Sequence, residues 1–98
     1  MIIFEWCPVK ERRNIEKHRL DLNTVKRVFA DPFRIARYDA AHSGLEDRWQ
    51  TLGMADGVLC VVYTERGSKI RIITARKATS EEKRIYYGTQ KRDYWFIP

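Results

Sequence analysis

Arginines from the middle of the chain onwards have the side-chain chemistry of a phosphate-binding site. The ones that we single out are Arg48, Arg66, Arg71 and Arg76. A guanidinium group offers paired N–H donors that match the oxygens of a phosphate, and it stabilises negative charge that develops there. It remains charged at physiological pH and therefore cannot act as a base. The alternative for each arginine is a surface ion pair, worth about 0–1 kcal/mol.

A reaction at phosphorus also needs side chains that move protons. The candidates are Lys17, His18, Glu82 and Tyr86, and the sequence leaves the choice among them open. His18 is predicted to end a helix, where the helix dipole favours an imidazolium without any catalysis. Glu82 stands three residues after Thr79 and is explained equally well by a capping box. Tyr86 suits either core packing or stacking on a base.

The excess positive charge is concentrated near the C-terminus. The formal net charge is +6, and residues 66–92 carry nine Lys or Arg against two Glu, a net charge of +7. Such a segment favours binding to a polyanion, either a nucleic acid or an acidic protein. A solvated basic face is the alternative for the same composition. If that partner is a nucleic acid, the residues expected to contact it are Lys17, Lys69, Lys77 and Tyr86.

Length and cysteine content exclude several classes of protein. The 98 residues fit one small domain, and no apolar run approaches the roughly 20 residues of a membrane span. The first residues lack the basic stretch and cleavage site of a signal peptide, so we expect a cytoplasmic protein without a membrane partner. Cys7 and Cys60 lack the spacing of metal ligands, and no phosphate-binding loop or catalytic serine motif is present. We therefore expect no metal and no cofactor.

The elements that position these residues are predicted from apolar periodicity and turn signals. Strands are expected at residues 1–6, 34–38, 48–54, 58–63 and 69–76, and helices at 9–19, 21–31 and from the Thr79 cap to about residue 88. Asp56-Gly57 predicts a two-residue hairpin turn. The order β-α-α-β(3–4)-α predicts an α+β domain over residues 1–88, with an antiparallel sheet packed by helices. Residues 89–98 are predicted to form an aromatic C-terminal tail.

Alternation along the last predicted strand indicates which side chains lie on its open face. Ile70 and Ile72 are expected to face the helices, which puts Arg71 on the open face. Arg48, on another strand, is expected to reach the same face. Arg76 shares the parity of the two isoleucines, but it lies at the strand end, where parity decides less. Replacing Arg71 or Arg76 is expected to leave the stability of the fold nearly unchanged.

Several segments resemble, in order and spacing, the family of BrnT-type toxins. Near the N-terminus they are Phe4-Glu5-Trp6-x-Pro8-x-Lys10, Asn14-x-x-Lys17-His18 and Val28-Phe29-x-Asp31-Pro32. Further along they are Arg48-Trp49, Gly53, Val61-Val62-Tyr63-Thr64-Glu65-Arg66-Gly67, Arg71-Ile72-Ile73-x-Ala75-Arg76-Lys77-Ala78-Thr79-x-x-Glu82 and Tyr86. Cys7 stands where the family usually has Asp, and Arg19 where it usually has Gly. These differences predict a weaker cap before Pro8 and a less favourable left-handed helix end after His18.

The resemblance implies a small bacterial ribonuclease toxin with a fold similar to RelE-type toxins. It also implies a BrnA-like antitoxin with a ribbon-helix-helix domain, through which the pair binds its operator DNA. Because that domain dimerises, we expect a 2:2 heterotetramer. The RNA would supply its own 2′-OH as nucleophile, with the arginines as phosphate clamps and without a metal ion. The alternatives are a non-catalytic RNA- or DNA-binding module, and a protein whose basic face only binds an acidic partner.

Overall fold

The computed structural model describes the backbone of residues 2–96 and the side chains of residues 2–88. The elements in chain order are β1 (Ile3–Trp6), α1 (Pro8–His18), α2 (Leu22–Val25), a 3₁₀ helix (Lys26–Ala30), β2 (Ile35–Tyr38), β3 (Trp49–Met54), β4 (Val58–Arg66), β5 (Lys69–Lys77) and α3 (Ser80–Phe96). This is the predicted α+β class. Within the described part of the chain, no helix is long and apolar enough to cross a membrane.

The strands form one sheet in the order β1-β5-β4-β3-β2. The strands from β2 to β5 pair antiparallel with their neighbours in sequence, as short connections require. β1 instead runs parallel to β5, with Ile3 opposite Lys69. The antiparallel prediction is therefore wrong for this one pair, because no local turn joins the two strands. The hairpin loop after β3 is also one residue longer than predicted, since Met54 pairs with Val58.

The two faces of the sheet are covered by different helices. On one face, α1, α2 and the 3₁₀ helix enclose the larger core, whose buried residues are Trp6, Leu20, Val25, Val28, Ala55, Leu59, Val61, Tyr63, Ile70, Ile72 and Ala75. On the other face, α3 packs on a smaller cluster formed by Leu52, Val58, Cys60, Ala78 and Tyr86. The arginines of this second face are Arg37, Arg48, Arg66, Arg71 and Arg76, and we call it the arginine face.

A β-bulge in β5 decides which arginines share that face. Val62 pairs with Thr74 and Tyr63 pairs with Ile72, so Ile73 is an extra residue. The bulge shifts the alternation by one position, and Ala75 joins Ile72 in the larger core. Arg76 consequently lies opposite Cys60, on the same face as Arg71. Strict alternation beyond Ile72, which would place Arg76 on the face of the larger core, is thus wrong.

The helix ends follow the local sequence. Asp21 caps α2 as predicted, with its Oδ1 accepting a hydrogen bond from the Thr24 N–H at 2.9 Å. Cys7 precedes α1 and makes no side-chain cap. Arg19 takes the left-handed conformation at φ 57° despite its side chain, and its N–H donates to the Ile15 carbonyl.

Helix α3 continues past the predicted end at residue 88. It spans Ser80–Phe96, so Gly88 lies within the helix instead of ending it. The side chains of the predicted aromatic tail, residues 89–98, lie outside the described residues. The division into a 1–88 domain and a tail remains a prediction.

Candidate nucleic-acid interface

Sheet register aligns Arg48, Thr64 and Arg71 in one row across the arginine face. Thr64 pairs with Arg71 of β5. Trp49 pairs with Tyr63, so Arg48, which immediately precedes β3, falls beside Thr64. Neighbouring strands lie about 4.8 Å apart, which places the backbones of the two arginines about 10 Å from each other. The side chains of Arg48 and Arg71 therefore leave the sheet on either side of Thr64, on the same face.

Two polar atoms of this row are buried and have no hydrogen-bond partner among the described residues: Nε of Arg48 and Oγ1 of Thr64. A third such atom, Nε1 of Trp6, belongs to the larger core. Buried polar groups in proteins are almost always hydrogen-bonded, so two unsatisfied groups in one row indicate a place for a ligand or water. A guanidinium N–H and a hydroxyl group together suit an anion such as phosphate.

Two arginines of the face, Arg71 of the row and Arg66, are paired with carboxylates. Arg71 Nε donates to Glu5 Oε1 at 3.1 Å, and Arg66 Nη2 donates to Glu46 Oε2 at 2.8 Å. The hydrogen bond from Arg66 lowers the pKa of Glu46. Both pairs are partly exposed, so each contributes little to stability and a polyanion can compete for the arginine. Arg48 makes no ion pair within residues 2–88.

Arg76 forms a two-fold ion pair with Glu82, the third residue of α3. Its Nη1 and Nη2 donate to the two carboxylate oxygens at 2.7 and 3.0 Å. Arg37 Nη2 adds a third hydrogen bond at 3.1 Å, and the Thr79 N–H adds a fourth at 2.9 Å. The Thr79 hydroxyl in turn accepts from the Glu82 N–H, which completes the predicted capping box. One buried carboxylate thus joins β2, β5 and α3.

These contacts give Glu82 a positioning role. Hydrogen bonds from Arg76 and then from Thr79 lower its pKa from 4.5 to about 2, although burial opposes the shift. A carboxylate of such low basicity, already occupied by four donors, is a poor proton acceptor at neutral pH. The same contacts change the expectation for Arg76, whose removal leaves a buried carboxylate without its main partner.

A polar chain runs from this ion pair across the face to an aspartate and a histidine that the sequence analysis did not identify. Arg37 Nε donates to Gln50 Oε1 at 2.9 Å, and Gln50 Nε2 donates to Asp39 Oδ2 at 3.0 Å. The same Oδ2 lies 2.7 Å from Nδ1 of His42. Asp39 and His42 stand three residues apart in a loop, and that spacing is the only signal that would have indicated the pair.

The loop that carries His42 is closed at its base by hydrogen bonds. It connects β2 to β3 over residues 39–48, and the Asp39 N–H donates to the Arg48 carbonyl at 2.9 Å. The Ser43 hydroxyl donates to the Asp39 carbonyl at 2.7 Å and accepts from the Arg48 N–H at 2.9 Å. These contacts hold His42 and Arg48 on a common surface. Residues of this loop and Arg66 line a pocket of about 520 Å³.

His18 and Lys17 lie at the end of α1, beside the end of β5. They line a pocket of about 560 Å³ together with Arg19, Arg76, Lys77 and Thr79. Helix α1 is fixed there by Asn14, whose buried side chain accepts from the Ala75 N–H at 3.2 Å and donates to the Leu20 carbonyl at 3.3 Å. The structure therefore brings His18 to Arg76, and His42 to Arg48 and Arg66.

The other residues predicted to contact RNA have unequal access. Lys69 and Lys77 are exposed at the two ends of β5. Tyr86 is only 2% exposed, packs in the cluster beneath α3 and donates from its hydroxyl to Asp31. A ring so deeply buried cannot stack on a base, so the structure contradicts the predicted RNA contact of Tyr86 and supports the packing alternative.

Two observations bear on other chemistries. Within the described residues, no three His, Cys, Asp or Glu side chains are grouped so as to hold a metal ion. Burial raises the pKa of the Cys60 thiol to about 11, so this thiol remains protonated and is not a nucleophile at neutral pH.

Comparison with known proteins gives a matching family and similar solved structures. Residues 6–82 match the family model described as the ribonuclease toxin BrnT of type II toxin–antitoxin systems. The crystal structure of the ribonuclease toxin BrnT from Brucella abortus is similar in fold, with a TM-score of 0.62. It is 23% identical in sequence, and the match covers 82% of this chain and 100% of the Brucella chain. No functionally curated protein matches the sequence.

Proposed function

Since the chain belongs to the family of BrnT ribonuclease toxins of type II toxin–antitoxin systems, we propose that it is an endoribonuclease that inhibits translation by cleaving RNA. The observation that carries this proposal is the row of Arg48, Thr64 and Arg71 with its two unsatisfied polar atoms. A phosphate bound over the row would lie between Arg71 and Arg48, and Arg48 makes no ion pair within residues 2–88. The prediction of a RelE-type fold belongs to the same proposal.

The arginine face supplies the electrostatic part of such a reaction. In RNA cleavage, the 2′-oxygen attacks the adjacent phosphorus, the bond to the 5′-oxygen breaks, and a 2′,3′-cyclic phosphate and a 5′-hydroxyl group are formed. Arg48 and Arg71 stabilise the charge that develops on the phosphate oxygens. Arg76 and Arg66 extend the positive surface along the RNA backbone. This mechanism needs no metal ion, because the nucleophile comes from the RNA.

A cleavage assay separates this proposal from a binding module that lacks catalysis. Purified protein is incubated with cellular RNA and with DNA of matched length, with EDTA present. We expect cleavage of RNA only, with cyclic phosphate ends. Binding without cleavage would instead favour the non-catalytic alternative. If cleavage required an added divalent metal ion, the proposed metal independence would be wrong but the ribonuclease activity would stand.

Arg48→Ala is the variant that tests the row directly. We expect it to lower the cleavage rate by at least tenfold, because it removes a donor aimed at the developing charge. Lys83→Ala, which removes one exposed positive charge from α3, is the matched control and should cleave at the wild-type rate. Equal rates for the two variants would remove Arg48 from the site.

We further propose that the partner is a BrnA-like ribbon-helix-helix antitoxin in a 2:2 heterotetramer, which binds operator DNA through the antitoxin in the cytoplasm. Covering the arginine face is the direct way to stop cleavage. The positive charge of this face attracts an acidic partner, and salt screens the attraction over about 8 Å at physiological ionic strength. Light scattering on the co-expressed toxin and antitoxin measures the mass of the complex. The mass of a 1:1 complex would contradict the proposed heterotetramer. A second sample truncated after Gly88 tests whether residues 89–98 add to the interface.

A further inference from the structure

The loop between β2 and β3 holds an imidazole in the arrangement of a general base. Asp39 is buried, and both of its carboxylate oxygens are occupied by His42. Oδ1 accepts from the His42 N–H at 3.1 Å, and Oδ2 lies 2.7 Å from Nδ1 of the ring. Burial acts to raise the pKa of Asp39, but hydrogen bonds from Gln50 and His42 outweigh it and the pKa is lowered.

This contact determines which ring nitrogen carries the proton. An ionised carboxylate only accepts hydrogen bonds, so Nδ1 must be the donor. In the neutral ring, Nε2 is then left with its lone pair. Within the described residues, Nε2 makes no hydrogen bond to the protein, and the His42 side chain is half exposed. A carboxylate that fixes the tautomer of an exposed imidazole is the arrangement that activates a hydroxyl group in triad-type sites.

The surroundings of His42 place it beside the arginines of the proposed phosphate site. The charged groups that line the same pocket are Glu46, Arg48 and Arg66, and Asp39 faces the ring from its own loop. Glu46 is occupied by Arg66, whereas Arg48 has its buried Nε unpaired. A phosphate on Arg48 would therefore lie next to the imidazole.

We propose that His42 is the general base of the ribonuclease reaction, and that Asp39 is its positioning residue. Nε2 takes the proton of the 2′-OH as the 2′-oxygen bonds to phosphorus, and water supplies the proton that the departing 5′-oxygen takes up. This inference rests on the proposed function and replaces His18, which lies at the pocket around Lys77, in the proton-transfer role.

The experiment measures single-turnover cleavage of RNA between pH 5 and pH 8. For the wild-type protein, we expect the rate to be lower at acidic pH, because only an unprotonated Nε2 can accept the proton of the 2′-OH. His42→Ala should cleave at least about 100-fold more slowly at neutral pH. It should also lose this pH dependence and recover part of the rate when free imidazole is added. That recovery is not expected from a residue with a purely structural role.

A second variant protects the test against a folding defect. His42→Asn keeps an amide N–H that can donate to Asp39 but removes the basic nitrogen, so it should fold normally and remain slow. If the wild-type protein cleaves no RNA, the proposed function is wrong. If it cleaves RNA and both His42 variants are as fast, or if His18→Ala abolishes the pH dependence instead, only the inference about His42 is overturned.

Discussion

Arg76 and Glu82 are joined by two parallel hydrogen bonds of 2.7 and 3.0 Å, which tie the end of β5 to the first turn of α3. The carboxylate side chain is only 7% exposed, whereas that of Arg76 is 39% exposed. The ion pair thus holds the buried Glu82 carboxylate below the arginine face. Its geometry couples the stability of the fold to the position of an arginine on the proposed RNA-binding face.

Glu82→Gln should destabilise the protein by about 2–3 kcal/mol, because it removes the charge that two arginines share in a buried site. Urea denaturation measures the change in the free energy of unfolding. Glu81→Gln is the matched control, since Glu81 is exposed in the same helical turn, and we expect a change within about 0.5 kcal/mol. Similar losses for both variants would show that the ion pair contributes nothing beyond helix-end electrostatics.

The lowered pKa of Glu82 predicts how the stability of the fold depends on pH. The pKa of Glu82 is about 2 in the folded protein against a reference of 4.5. A lowered pKa means that the stabilisation is complete above pH 4.5 and is lost as the pH falls towards 2, with an upper limit of about 3 kcal/mol. Urea denaturation at pH 6 and pH 3 should show a smaller loss for Glu82→Gln than for the wild type. An equal loss of stability between pH 6 and pH 3 for the two proteins would contradict a lowered pKa of Glu82.

Arg71→Ala should weaken RNA binding with little change in stability. The Arg71–Glu5 pair is partly exposed, so its loss should cost less than about 1 kcal/mol. Losing one phosphate contact should reduce the slope of log K against log salt by about 1. Fluorescence anisotropy at several salt concentrations measures the slope. Lys83→Ala removes an equal charge elsewhere, and an identical slope change there would show that only the net charge matters.

Gly53→Ala should destabilise the fold by about 1–3 kcal/mol through overpacking. A Cβ at this position would lie 2.6 Å from Cγ1 of Val28 and 3.1 Å from its carbonyl oxygen, because the 3₁₀ helix packs directly on β3. Gly88→Ala offers a contrast, since among the described residues no atom beyond its own stretch of helix lies within 4 Å of its added Cβ. In a helix it should be neutral or stabilising by up to about 1 kcal/mol. Thermal unfolding of both variants checks the predicted difference in sign.

The sequence alone determined the helices and strands and indicated several residues of the candidate site, because the signals for both are local. Apolar runs and turns predicted every strand, and the Thr79–Glu82 spacing predicted the capping box that the structure contains. The charged residues along β5 could also be identified from the sequence. Arginines and an alternating strand suffice to predict a basic sheet face, and the order and spacing of motifs suggested the family.

Only the tertiary structure decided which of these residues lie together. The bulge at Ile73 moved Arg76 to the face of Arg71, and no local pattern marks a bulge, which depends on how two strands pair. Packing buried Tyr86. The contact between Asp39 and Gln50 exists because β2 and β3 pair in a particular register. Side chains that strand pairing and packing bring together have no characteristic spacing in the sequence. Their separation along the chain depends only on the lengths of the elements between them.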